Sequence, residues 1–264
     1  MKRLMLCGVL CMGICMSVQG QETKKYPEPA PMQPEMSEFW TPQPKIVVPP
    51  DMDQAIITPP SDAIVLLGLD AESADEWVNC DPNKAVEWEV EQGVMTVKPS
   101  SGSIRTKREF GDFQLHVEWS APTEIVGESQ GRGNSGVFMQ GIYEVQILDN
   151  YGNETYANGQ AGSIYKQTPP LVNACQKPGK WNTYDIIYTA PRFKEDGSLQ
   201  SHGRITVLHN GVLVQNNTMI LGTTEYIGFP YRGTRQGPDH LAGSLESGPF
   251  QKHLDSRAVR GHNR

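Results

Sequence analysis

The sequence is poor in cysteine, in basic clusters and in long apolar runs, and each shortage removes a class of function. Three of its five cysteines, Cys7, Cys11 and Cys15, fall within the first twenty residues, leaving Cys80 and Cys175 for the rest of the chain. Two thiols without CxxC spacing argue against a zinc site. They could form one disulfide in an oxidising compartment, although sequence alone does not show that they meet. A formal charge of −7 without any basic block argues against nucleic acid as a partner. Beyond the first twenty residues no segment reaches the roughly 18 apolar residues that a membrane span needs. No stretch of three helical turns stands out either, and no internal repeat is evident.

What is present divides the chain into four parts. Residues 1–20, MKRLMLCGVLCMGICMSVQG, join a basic start at Lys2 and Arg3 to a short apolar run. Val18 and Gly20 offer a small-residue cleavage site, so an export signal and a periplasmic or extracellular location are expected. Neither Cys11 nor Cys15 follows a lipobox, and a lipid anchor is not favoured. Residues 21–62 are rich in proline, which fixes φ and donates no amide hydrogen, so a central strand or helix is not expected there. An extended arm pinned by Phe39 and Trp40 is expected, with a flexible linker as the alternative for its first half.

From residue 63 the pattern becomes short β-rich runs: IVLL (64–67), AVEWEV (85–90), VMTV (94–97), DFQLHVEW (112–119), SGVFMQ (135–140), YEVQILD (143–149), GSIYKQ (162–167), WNTYDIIYTA (181–190) and RITVLHNGVLVQNN (204–217). In the last run, Asn210-Gly211 between two alternating segments predicts a type I′ hairpin. Many short strands broken by frequent turns predict an all-β protein, a jelly-roll-like β-sandwich.

Two strands carry polar residues of chemical interest. In DFQLHVEW, strict alternation puts Phe113, Leu115, Val117 and Trp119 on one face and Gln114, His116 and Glu118 on the other. In YEVQILD, Glu144 and Gln146 share a face, Leu148 follows them, and Asp149 falls on the apolar side. A bulge at Ile147-Leu148 would return Asp149 to the face of Glu144. The pattern is similar to the E-x-D-x-x-E signature of family 16 glucanases, with Gln146 in place of the central Asp and Asp149 in place of the last Glu. A retaining glycosidase needs two carboxyl groups about 5–5.5 Å apart. Positions five apart on a strand start roughly 13–16 Å apart, so this strand makes a poor retaining pair.

Longer blocks carry a broader resemblance. TKREFGDFQLHVEW, GRGNSGVFMQGIYEVQILDN, NGQAGSIYKQTPPLVNACQKPGKWNTYDIIYTAPRF and RITVLHNGVLVQNN together resemble the 3-keto-disaccharide hydrolase domain, a former domain of unknown function common in secreted proteins of Bacteroidetes. The resemblance implies a concanavalin A-like sandwich over residues 63–230, with a glycan site on its concave sheet. It also implies a carbohydrate substrate oxidised at C3. Such a ketone acidifies the C2 hydrogen, so one base, an enolate stabiliser and a leaving-group acid are enough. On this reading Glu144 is the base and Lys166 the enolate stabiliser. Gln146, Asp149, Asn134, Arg132, Glu118 and His116 are candidates for binding the sugar. A divalent cation could polarise the ketone, though no ligand spacing calls for one. His209, beside the hairpin turn, reads as structural. A carbohydrate-binding module without activity and a family 16-like glucanase are the alternatives, because one fold hosts many functions.

Residues 231–264 break the resemblance. The family closes with a strand resembling GPIxLQDHGNPVxFRNIWI, whereas this chain has few apolar residues there and no period of 2 or 3.6. Synonymous codons for Tyr231 through Val259, read one base later, spell a segment containing GPIIWQDHWNPVHFRNIWIREP. A frameshift near Tyr231 and a non-folding tail are therefore expected, leaving one strand of the sandwich as an open edge.

Overall fold

A computed structural model describes residues 33–49, 59–68 and 75–224, together with two strands at 244–246 and 255–263. The leader at 1–20 and most of the tail lie outside the described residues. In chain order the strands are β1 (Lys45–Ile46), β2 (Ile64–Val65), β3 (Trp77–Asn79), β4 (Glu89–Glu91), β5 (Val94–Thr96) and β6 (Ile104–Thr106). There follow β7 (Phe113–Ser120), β8 (Asn134–Met139), β9 (Tyr143–Leu148), β10 (Val172–Asn173), β11 (Trp181–Thr189) and β12 (Arg192–Phe193). The series ends with β13 (Leu199–Ser201), β14 (Arg204–His209), β15 (Val212–Met219), β16 (Ser244–Glu246) and β17 (Asp255–Asn263).

These form a concanavalin A-like jelly-roll sandwich. The large sheet runs β15-β14-β11-β7-β17-β5-β4, with β2 also paired to β17, and the small sheet runs β3-β6-β16-β8-β9. Alternation decides which side chains meet between them. Phe113, Leu115, Val117 and Trp119 of β7 join Tyr184, Ile186 and Tyr188 of β11 on the inner face of the large sheet. Val137, Met139, Tyr143, Val145 and Ile147 of the small sheet complete the same core. Each such side chain contributes about 1.5–3 kcal/mol when fully buried. The Tyr184 hydroxyl crosses the core and donates to the Gln146 carbonyl at 2.8 Å, tying the sheets together.

Asn210-Gly211 closes the β14–β15 hairpin with positive φ at both residues, 53° and 74°, the conformation that a type I′ turn requires. His209 is buried against Trp119 and Tyr184 and hydrogen-bonds Asn182 Oδ1 at 3.0 Å. Burial lowers its pKa from 6.5 to about 3, so the imidazole is neutral and structural, as expected. Cys80 is exposed, Cys175 is buried, and both are free thiols.

The structure corrects the expected elements in four places. Of IVLL only Ile64–Val65 is strand, and of AVEWEV only Glu89 and Val90, which β4 extends to Glu91. GSIYKQ is not a strand. Lys166 takes a left-handed φ of 60°, and the amides of Gln167 and Thr168 turn back to the Ile164 carbonyl. The segment instead runs along the free edge of β9, where Gln146 N–H donates to Ser163 and Gly162 N–H to Gln146. The arm does dock, but Phe39 and Trp40 do not pin it; they remain 68% and 38% exposed.

The tail is not wholly without elements either. β16 lies between β6 and β8, and β17 fills the slot between β7 and β5. Side-chain patterning gave no hint of this, because the slot is defined by backbone. The facing edges of β5 and β7 present rows of N–H and C=O groups that any extended segment satisfies.

Candidate active site

The outer face of the small sheet gathers three of the eight predicted site residues, Glu144, Gln146 and Asn134. β8 and β9 pair without a register shift: Asn134 opposes Leu148, Gly136 opposes Gln146, and Phe138 opposes Glu144. Glu144, Gln146, Asn134 and Gly136 therefore share one face. Glu144 is half-buried and lies across Gly136, where a Cβ would run into its carboxylate. Glycine at 136 thus makes room for the acid.

Beside Glu144 runs a chain of amides. Gln146 is 1% exposed, and its Nε2 donates to Gln130 Oε1 at 3.0 Å, while its Oε1 has no hydrogen-bond partner. Gln130 Oε1 also accepts from Asn134 Nδ2 at 3.3 Å. The Gln130 Nε2 donates onward to Thr155 Oγ1 and to the Gly159 carbonyl. Gln130 escaped the sequence reading because it sits in a short 3-10 turn at Ser129–Gly131, fifteen or so residues from the strand it serves.

The loop after β9 runs along its free edge beside this face. Tyr165 N–H donates to the Glu144 carbonyl at 3.2 Å, and the Tyr165 and Tyr156 hydroxyls hydrogen-bond at 2.8 Å. The Lys166 ammonium stands 4.6 Å from the centre of the Tyr156 ring. Lys166 is nonetheless buried. Its Nζ pairs with Glu38 of the arm at 2.6 Å and reaches the Pro34 carbonyl at 3.3 Å. Its ammonium is thus paired with the arm, a partner that the expectation of a free enolate stabiliser did not include.

Asp149, Arg132, His116 and Glu118 are not brought to the face of Glu144. No bulge interrupts β9, so Asp149 stays on the apolar side, where strict alternation put it. It is buried with Arg132, whose Nε lies 3.3 Å from Asp149 Oδ2 and whose Nη1 donates to the Tyr151 carbonyl. Burial raises the Asp149 pKa, partly offset by the Arg132 charge. Arg132 and Asp149 thus form a buried ion pair away from the Glu144 face, with Arg132 Nε and Asp149 Oδ1 left without a hydrogen bond.

His116 and Glu118 lie on the opposite side of the molecule, on the outer face of the large sheet. His116 Nδ1 bonds Asp185 Oδ1 at 2.7 Å, and its Nε2 is 3.4 Å from Glu118 Oε1. Desolvation lowers the His116 pKa, but the hydrogen bonds and charges of Asp185 and Glu118 outweigh it and raise the value from 6.5 to about 9. This is an ion cluster separated from Glu144 by the whole core. Among the described residues, no three His, Cys, Asp or Glu side chains are arranged to hold a metal ion.

With one half-buried carboxylate and an amide chain on one face and a tyrosine pair in the adjoining loop, the likeness to known proteins becomes interpretable. The family model described as the 3-keto-alpha-glucoside-1,2-lyase-like domain matches residues 62–248. The chain belongs to this family. A proposed glycosyl hydrolase from Parabacteroides distasonis is 50% identical; the match covers 87% of this chain and 96% of that one, with a TM-score of 0.74. Two further proposed glycosyl hydrolases of the same organism share 20% and 19% identity, with TM-scores of 0.51 and 0.50 and 76% of this chain covered in each case. They cover 99% and 94% of those chains and show the shared fold. A search of curated proteins found no match. The 3-keto-alpha-glucoside-1,2-lyase-like domain begins at residue 62, after the arm that carries Glu38, and it takes in both Glu144 and β16. A glycosyl hydrolase-like domain is therefore combined here with an N-terminal arm outside the family match. Among the described residues, no helix is long and apolar enough to cross a membrane.

Proposed function

We propose that the protein, after export, cleaves the glycosidic bond of 3-keto-glycosides by elimination followed by hydration. The observation that carries the reading is the division of the two carboxylates in and just after β9. Glu144 lies half-buried against Gly136 on the outer face of the small sheet, while Asp149 is buried against Arg132. The strand supplies one base, not the pair that a retaining glycosidase needs, and a ketone at C3 makes one base sufficient.

Glu144 removes the C2 hydrogen as a proton, and the C2–H electrons pass to the C3 carbonyl to give an enolate. The enolate collapses, the C1–O bond to the aglycone breaks, and the leaving oxygen takes back a proton. Water then adds at C1 of the enone to give the free 3-keto sugar. Gln146, held by Gln130 and Asn134, orients the sugar hydroxyls. The Tyr156–Tyr165 hydroxyl pair donates to the enolate oxygen. Lys166 acts through Tyr156, its ammonium favouring the negative charge that develops nearby.

Incubation with a chromogenic 3-keto-glucoside and with its unoxidised parent tests the proposal. Cleavage of the keto compound alone supports it, and cleavage of the parent overturns it. Binding of both without turnover points to a carbohydrate-binding module.

A further inference from the structure

The arm is the part of the described molecule that neither the family match nor the proposed chemistry uses. It has little apolar burial of its own, yet it is fastened on both sides of its midpoint. On one side, Lys166 holds Glu38 at 2.6 Å and the Pro34 carbonyl at 3.3 Å, and Asn158 Nδ2 donates to the Ser37 carbonyl at 2.6 Å. On the other, Gln160 Nε2 donates to Gln43 Oε1 at 2.7 Å, β1 pairs in parallel with β10, and Val47 N–H donates to the Asn173 carbonyl.

Between these fastenings stand Phe39 and Trp40. Their rings are stacked, with centroids 5.6 Å apart and planes 16° from parallel. They stay 68% and 38% exposed although the arm on either side is tied down. A strap that docked by the hydrophobic effect would bury its aromatics first. This strap docks through polar groups and turns its aromatics outward.

The anchors connect the strap to the site. Glu38, next to Phe39, grips the lysine that stands over Tyr156, and Asn158 and Gln160 flank Gly159, whose carbonyl holds Gln130. The electron-rich face of an aromatic ring attracts the weakly positive C–H face of a pyranose, as it does other positively polarised edges.

We propose that the Phe39–Trp40 pair is a sugar-binding platform that receives the second ring of a disaccharide substrate, with Glu38–Lys166 as the anchor that positions it. The proposal rests on the reading of the Glu144 face as a glycoside site. It assigns to the arm a share of specificity: one-ring substrates bypass the platform and two-ring substrates use it.

The test compares the wild type with the Phe39→Ala, Trp40→Ala double variant on two substrates, methyl 3-keto-glucoside and a 3-keto-glucosyl-glucose. Both side chains are exposed, so the variant is expected to fold with an unchanged thermal midpoint. KM for the two-ring substrate is expected to rise about tenfold, the effect of roughly 1.4 kcal/mol of lost binding. Its kcat and both constants for the methyl compound should stay the same. Equal KM values for wild type and variant on the two-ring substrate overturn the platform. If the wild type cleaves neither substrate, the catalytic reading fails separately, and calorimetric titration of the same two ligands decides the platform. Weaker binding of the two-ring ligand by the variant then supports it, and unchanged binding rejects it. A Glu38→Gln variant should show the same KM increase in weaker form, because it loosens the anchor and leaves the rings intact.

Discussion

The outer faces of the two sheets begin from the same rule and end differently. On each, alternation turns polar residues away from the core: His116 and Glu118 on β7, Glu144 and Gln146 on β9. On the large sheet His116 and Glu118 keep 11% and 18% of their side-chain surface exposed. Gln114, Ile187 and Leu213 are exposed, and the charges settle into a cluster with Asp185. On the small sheet Gln146 is 1% exposed although it points outward, and it is held to Gln130, which the 150–170 loop binds in turn through Thr155 and Gly159. Parity identifies the outward residues. Their partners separate the two faces: a charge cluster closed on itself on one, a carboxylate beside an amide chain with an unpaired Gln146 Oε1 on the other.

Breaking each face in turn sharpens that contrast. The largest effect is expected from Glu144→Gln, which should lower kcat on a 3-keto-glucoside by about 10²–10⁴, the usual contribution of a general base. Glu118→Gln on the opposite face should leave turnover unchanged; equal losses in the two variants would falsify the separation of the faces. Gly136→Ala comes next. Its Cβ displaces the Glu144 carboxylate, so kcat should fall by up to about 100-fold, with a thermal midpoint close to that of the wild type.

The third expectation concerns stability and pH. The folded pKa of His116 is raised from 6.5 to about 9, so its stabilising contribution is complete below about pH 6.5 and disappears as pH rises through about 9. His209 has the opposite sign. Its pKa is depressed to about 3, and its contribution is lost as pH falls below 6.5. Urea denaturation across pH should show His116→Gln flattening the alkaline limb alone, while catalysis is untouched. The smallest effect is expected from Tyr184→Phe, which removes the hydroxyl between the sheets. It should cost about 0.5–1.5 kcal/mol by the same denaturation measurement.

Much of the scaffold was readable from one-dimensional pattern, and the reasons are local. The parity of β7 and β9 follows from their period of two, and Asn210-Gly211 specifies its turn by itself. GSIYKQ misled because β-rich composition does not reveal that Lys166 adopts a left-handed conformation. The short β3 and β6, three residues each, fall below the length at which alternation carries a signal. At the site, Glu144 and Gln146 were legible for the same reason as their strand. Gln130 and Glu38 were not. Glu38 meets Lys166 across 128 residues of sequence, a pairing set by the whole fold and by no local spacing. Asp149 was a candidate through its place in the glucanase-like pattern and Arg132 through its Gly-rich loop, whereas each is buried with the other as an ion pair.

β17 also has a consequence in time. β7 is flanked by β11 on one side and by β17 on the other, and β17 is built from residues beyond position 254. At about 5–20 residues per second, a growing chain has β7 on the order of ten seconds before the segment that covers its second edge. The large sheet therefore closes late, and throughout that interval β7 is a strand seeking a neighbour. Any other extended chain at hand competes for the place.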